Sequence, residues 1–372
     1  MRRLAITLVM LSLLAGVSVN AAAAPAGTAA PHVWVIVLEN KTYEETFGAG
    51  SPATYLAQTL PAEGVLLRQY YGTGHFSLDN YVTMISGQAP NPATQGDCPV
   101  YADFVSALGS NVDGNGQAVG TGCVYPPVVQ TLADQLDGAG ISWRGYMEDM
   151  GAPCRHPQLN SQDTTQQAHV GDQYAARHNP FVYFHSIIDD PARCQGHVVD
   201  LSALPGDLAQ SKTTPQFSFI TPNLCHDGHD APCVDGAPGG LQSADGFLRT
   251  WVPAITSSPA FKHDGILVVA FDESEAVGAQ ADTRSCCHEP AGPNTPMPGQ
   301  TGAGGGRMGA VVLSPFVQPG TVSDEPYNHY SLLRWLEDVY GVPYLGFAGQ
   351  VGLRPFGADI FPSTSHGQGG PG

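Results

Sequence analysis

The sequence predicts an α/β protein: a three-layer sandwich around a central, mainly parallel sheet. Three observations carry that reading. Short apolar runs are near-continuous rather than alternating, as in strands covered on both faces. Amphipathic segments with helical spacing lie between them. Strands and helices alternate along the chain, the arrangement that builds a parallel sheet with helical layers.

The expected strands are Val33 to Leu38, Val65 to Tyr70, Ile141 to Tyr146, Phe217 to Ile220, Ile266 to Phe271, and Ala310 to Leu313. Among the helices, Thr131 opens a segment with Leu132 and Leu136 on one face, closed by Gly138 and Gly140. Asp245 to Ile255 aligns Phe247, Leu248, Trp251 and Ile255, and Ser331 to Tyr340 aligns Leu332, Trp335, Leu336 and Val339 before Gly341. Two stretches read as long irregular loops, 147–180 and the Gly/Pro-rich 276–308. Such loops serve as walls or lids of sites, or as insertions stapled by disulfides. No internal repeat is visible.

Composition narrows the function. The 372 residues contain 15 Lys plus Arg against 33 Asp plus Glu, a formal net charge of −18. That excludes the electrostatic footprint of a general nucleic-acid binder. Arg2 and Arg3 precede an apolar run, Leu4 to Val19, and then Ala21 to Ala24. This is the layout of a secretory signal peptide over 1–24, and the run is short for a membrane span. We therefore expect a secreted or periplasmic protein without a stable membrane anchor, a single domain over 25–361, and a flexible tail over 362–372. The eight cysteines all follow the leader, an even number that favours disulfides over a thiolate metal site. Cys225 with Cys233 would close a short loop, and the adjacent Cys286 and Cys287 are expected to have separate partners. Nothing in the sequence indicates an oligomeric state.

Chemistry gathers after the strands. Val33–Leu38 runs into Glu39-Asn40, Phe217–Ile220 leads to Asn223 and then His226-Asp227-Gly228-His229-Asp230, and Ile266–Phe271 runs into Asp272-Glu273. The carboxyl ends of parallel strands form the ligand crevice of open α/β sheets. One such Asp is commonly a helix cap; three strands delivering carboxylates, amides and imidazoles to one rim build a site. Glu39, Asn40, Asp272 and Glu273 together would repel unless protons or a cation compensate. Oxygen ligands suit one divalent ion such as Mg, Mn or Ca, with Zn open if imidazole helps. A second cluster, Gly74-His75-Phe76-Ser77-Leu78-Asp79-Asn80-Tyr81, places a serine where a strand turns into a helix. There a hydroxyl either caps the helix or acts as a nucleophile.

These residues resemble the bacterial phosphoesterase family of secreted acid phosphatases and phosphatidylcholine-type phospholipases C, within the alkaline phosphatase superfamily. The resemblance covers roughly residues 31–361. It rests on Val35 to Asn40 with Phe47-Gly48, on Gly74 to Tyr81 with Ser86-Gly87, and on Tyr146 to Asp149. It continues through Ile220 to Asn223, Asp227 to Asp230, Phe271 to Glu273, Gly304 to Arg307, and Asn328 to Leu333. It implies an alkaline-phosphatase-like fold, with Glu39, Asn40, Ser77, Asp272 and Glu273 as metal ligands and Ser77 as nucleophile. His229 and His329 are implied to assist the leaving group, and His75, Asn80, Asn223, Asp227 and Asp230 to line the phosphate pocket. In one departure, Phe76 and Asp79 stand where many members carry proline.

The implied activity is hydrolysis of phosphate monoesters through a phosphoseryl intermediate. The alternatives are a phospholipase C-type phosphodiesterase and a non-catalytic phosphate- or cation-binding protein. Outside this set, His178 and His185 flank the aromatic run Pro180 to Phe184 and read as core packing. His32, His156, His169, His197 and His263 read as surface or hydrogen-bonding residues. Glu148 and Asp149 read as supports of the site or as exposed acids, and Arg307 as a weak phosphate candidate.

Overall fold

A computed structural model describes residues 30–109 and 111–362. The expected signal peptide and nearly all of the expected tail lie outside the described residues.

Eight strands form the central sheet: β1 Val33–Leu38, β2 Val65–Leu67, β3 Trp143–Met147, β4 Val198–Asp200, β5 Phe217–Thr221, β6 Ile266–Phe271, β7 Ala310–Leu313 and β8 Thr321–Ser323. Their order is β8-β2-β7-β6-β1-β5-β3-β4. β1 pairs in parallel with both β5 and β6, while β7 is antiparallel to both its neighbours. β1, β6 and β7 coincide with the apolar runs read from the sequence, because each is buried along its whole length. The run at 65–70 splits instead. Its far end, Tyr70–Tyr71, leaves the sheet to pair with Tyr327–Asn328. The edge strands β4 and β8 escape sequence reading because each has three residues and is only partly buried.

Helices cover both faces. On one side α1 Ser77–Ser86, α2 Leu132–Ala139 and α4 His329–Tyr340 pack on one another. On the other, α3 Gly240–Thr256 buries Phe247, Leu248, Val252 and Ile255. The stop and start signals have local causes. Thr131 and Asp134 form a capping box at α2, and Asn328 accepts from the Ser331 amide at α4. Gly140 and Gly341 close the two helices in the left-handed conformation.

Four disulfides join Cys98 to Cys123, Cys154 to Cys194, Cys225 to Cys233, and Cys286 to Cys287. The last corrects the expectation of separate partners: the other six cysteines pair among themselves, and the two neighbours bond to each other. No helix among the described residues is long and apolar enough to cross a membrane.

Candidate active site

Parallel register assembles the site. Leu38 lies opposite Phe271 across the β1–β6 pair. The next residues of each strand, Glu39 and Asp272, therefore leave the sheet side by side. The Asp272 amide donates to the Leu38 carbonyl at 2.8 Å, and the Glu39 amide to the Asp227 carbonyl at 2.8 Å. Asn40 takes a positive φ of 43°, which asparagine tolerates, and its amide donates to Asp272 Oδ1 at 3.1 Å. The ends of β1 and β6 and the turn that follows β5 are thus bound to one another through their backbones.

Ser77 reaches this cluster as the first residue of α1. Phe76, at φ 77°, makes the turn from loop to helix. The loop is held from inside: the Asn80 side chain accepts from the amides of Thr73 and Gly74 and donates to the carbonyls of Gly74 and Phe76. Gly74 must lack a side chain, since a Cβ there would stand 2.4 Å from Asp79 Oδ1. The result aims the Ser77 hydroxyl at Glu39, donating to Oε2 at 2.6 Å, while Tyr81 donates to Oε1 at 2.7 Å.

Electrostatically the cluster is short of positive charge. Glu39, Asp272 and Glu273 are wholly buried, and burial pushes each carboxyl well above the usual range. Asp272 raises Glu39 further, and Glu273 raises Asp272. Asp272 Oδ2 is buried with no hydrogen-bond partner. A divalent cation among Glu39, Asn40, Ser77 and Asp272 would satisfy that oxygen and offset the repulsion, so the donor set fits a hard, oxygen-ligated ion. Glu273 is more fully engaged. Oε1 accepts from Asn40 Nδ2 at 3.0 Å and from the Phe76 amide at 3.1 Å, and Oε2 pairs with His75 Nδ1.

Several residues expected at the substrate are bonded to the protein around them. His75 spends both ring nitrogens, on Glu273 and on the Asp282 carbonyl. Asn80 is consumed by the loop, and Asn223 Oδ1 caps the turn at Cys225 and His226. His329 is buried between the Tyr70 hydroxyl and the Asp272 carbonyl, and burial lowers its pKa to about 4. One ring nitrogen thus meets the backbone that carries Asp272. Asp227 is buried, accepts from the His229 amide at 2.9 Å, and has Oδ2 3.7 Å from His178 Nδ1. His229 itself is half exposed on the cavity wall, with Nδ1 bonded to Asp230 at 3.0 Å. That bond raises the His229 pKa. Glu148 supports this turn by accepting from the Asn223 amide and pairing with His226. Arg307 is elsewhere, over the Tyr43 ring and paired with Glu44.

Sequence reasoning missed three contributors. His178, read as core packing, stacks on Tyr81 and lies 3.3 Å from Glu39 Oε1. Arg177, beside it, lines the cavity, as does Asp97, whose Oδ1 accepts from the Leu78 amide at 2.9 Å. The cavity above Ser77 measures about 360 Å³, and both long loops reach it: Arg177 from 147–180, and Val277 and Gln300 from 276–308. Phe76 and Val277 expose apolar surface at its mouth.

The mainly parallel sheet with helices on both faces is an alkaline-phosphatase-like α/β fold. A solved protein of the alkaline phosphatase superfamily from Vibrio parahaemolyticus shares the fold at a TM-score of 0.50 and 14% identity, over 89% of this chain and 71% of that one. The chain belongs to the Phosphoesterase family, whose model matches residues 50–343. An acid phosphatase of Aspergillus fumigatus is 26% identical over 320 residues, 86% of this chain and 57% of that protein. A phosphate-repressible acid phosphatase of Penicillium chrysogenum is 28% identical over 287 residues, 77% and 54%. The chain thus spans little more than half the length of these fungal relatives. A phosphatidylinositol-3-phosphatase of Mycobacterium tuberculosis is 25% identical over 317 residues, 85% of this chain and 79% of that protein.

Proposed function

We propose that this protein is an exported hydrolase of phosphate monoesters in which Ser77 is the nucleophile. The observation that carries the reading is the Ser77 hydroxyl, 2.6 Å from a buried Glu39 oxygen and beside the partnerless Asp272 Oδ2. Relatives bearing the names of phosphatases support it, and four disulfides support export. Glu39, Asn40, Ser77, Asp272 and Glu273 are the residues that would hold one divalent cation. Such an ion, when bound, lowers the hydroxyl pKa and offsets charge on the phosphoryl oxygens.

The chain's own residues do the rest. Ser77 Oγ, its proton released to solvent, attacks phosphorus in line, and the bond between phosphorus and the alcohol oxygen breaks. With Nδ1 tied to Asp230, His229 has Nε2 free to give a proton to the departing alkoxide. Water then cleaves the bond between phosphorus and Oγ, releasing inorganic phosphate and restoring the hydroxyl. Tyr81 fixes the Glu39 carboxylate that faces Ser77.

A second reading, a phospholipase C-type diesterase, rests on the exposed apolar Phe76 and Val277 at the mouth. Assay of p-nitrophenyl phosphate against phosphatidylcholine separates the two. Chelation should abolish the favoured activity and add-back of Mg, Mn, Ca or Zn should restore it. A protein that binds phosphate without turning over either ester would be the non-catalytic alternative.

A further inference from the structure

Among the residues lining the cavity, Arg177 is the one arginine or lysine, set against the carboxylates Glu39, Asp97, Glu273 and Glu275. Its bonding differs from that of the arginines that hold the fold together. Arg68 grips Asp324 with two bonds of 2.9 and 2.7 Å, and Arg155 grips Asp172 with two of 2.8 and 2.5 Å. Arg193 divides its guanidinium between Asp134 and Asp137, each at 2.8 Å. Arg177 makes one hydrogen bond, from Nη1 to the Gln166 carbonyl at 3.0 Å, and stops 3.7 Å short of Asp97 Oδ2. A guanidinium carries five N–H donors. Most of those of Arg177 therefore have no protein acceptor, although the side chain is only 12% exposed.

Its placement is firm. Arg177 sits in the three-residue turn Ala176–His178, whose next residue faces Glu39. The Ala176 amide is bonded to Thr165 Oγ1 at 2.8 Å. Asp97, which draws the guanidinium from one side, holds the Leu78 amide at the start of the Ser77 helix with its other oxygen. The spare donors are thus fixed relative to the nucleophile.

We propose that Arg177 is the specificity residue of the site, receiving the second negative charge of a phosphate monoester and so setting monoesters over diesters. The inference rests on the phosphoesterase reading above and names the substrate class for that site. A monoester is close to a dianion at neutral pH, whereas a diester carries one charge and has an alkyl or aryl group on the oxygen a guanidinium would grip. In a cavity lined by carboxylates, a dianion needs a fixed cationic partner more than a monoanion does. Had Arg177 served only to neutralise Asp97, a forked pair like those of Arg68 or Arg155 would be expected.

The test compares p-nitrophenyl phosphate with bis(p-nitrophenyl) phosphate, which share a leaving group, using the full chain loaded with a divalent cation. Losing a charge-assisted pair should lower kcat/KM of Arg177→Gln for the monoester by about 10- to 100-fold, with the diester changed only a few-fold. Arg177→Lys should keep the charge and recover part of the loss. Equal losses on both esters, or no loss, would overturn the proposal. Calorimetric binding of inorganic phosphate needs no turnover and should weaken at least about tenfold in Arg177→Gln, by the same energetics; unchanged binding, or none in the parent protein, also overturns it. Should Arg177→Gln fail to fold, Arg177→Lys carries the comparison, and an unmoved monoester-to-diester ratio counts against the idea. Failure of the underlying reading looks different: Ser77→Ala would then retain hydrolysis of both esters.

Discussion

Gly74→Ala perturbs the loop that leads to Ser77, the proposed nucleophile, without altering Ser77 itself. The added Cβ would lie 2.4 Å from Asp79 Oδ1 and 2.7 Å from both Cγ and Oδ2. Ordinary contacts between heavy atoms begin near ~3.5 Å, so roughly 1 Å of room must be found. Asp79 is fully enclosed in the first turn of α1, so its carboxylate can move only by displacing its neighbours. Gly74 is equally bound, its amide and carbonyl both tied to the Asn80 side chain. The displacement therefore passes to Phe76 and Ser77. A shift of about 1 Å at a reacting group costs on the order of 100-fold in rate, and the overpacking costs about 1–3 kcal/mol of stability. Hydrolysis of p-nitrophenyl phosphate and thermal unfolding measure the two effects. The double variant Gly74→Ala with Asp79→Ala clears the space and should recover much of the activity. Full activity in Gly74→Ala, or a double variant no better than the single one, would refute the steric argument.

Tyr81→Phe removes the 2.7 Å bond to Glu39 while keeping the ring stacked on His178; kcat/KM should fall by about 10- to 100-fold, with little change in unfolding temperature. Asp230→Asn removes the first cause of the raised His229 pKa. In the proposed mechanism His229 must be protonated to serve the leaving group, so activity should fall as pH rises through that pKa. The variant's falling limb should therefore lie at lower pH than the parent's, and an unmoved limb would contradict the assignment. Glu337 tests the fold. Burial pushes its carboxyl from 4.5 up to about 9, with Oε2 unpartnered. The folded state then holds a proton that the unfolded state releases, so stability present below about pH 4.5 is lost progressively as pH rises toward 9. The loss by neutral pH is on the order of 3 kcal/mol. Glu337→Gln, which can still accept from the Leu345 amide, should lose much less unfolding temperature between pH 5 and 8 than the parent does.

Much of the scaffold is legible in the residues, and the reasons are physical. β1, β6 and β7 are buried on both faces, so each is written as an unbroken apolar run. Helix ends are written in local chemistry, as at Thr131 and Gly341. Glu39 and Asp272 could be read as neighbours because parallel register makes the residues after two strands converge. Side-chain direction is not written this way. His75, Asn80, Asn223 and His329 are polar residues at a polar site, and only the fold shows that they bond the Glu273 carboxylate, the Tyr70 hydroxyl and nearby backbone. His178 has aromatic neighbours that suggest packing, and only the fold also places it 3.3 Å from Glu39. Arg177 arrives from a long segment with no periodicity, and only the fold shows that its donors are unspent.

The most direct measurement is acid quench of the metal-loaded protein during turnover of a phosphate monoester, followed by mass analysis of its peptides. Nucleophilic attack by Ser77 predicts one phosphoryl group on the peptide carrying that residue, absent in Ser77→Ala together with activity. Turnover that persists in Ser77→Ala, or a phosphoryl group trapped on another side chain, would contradict the account.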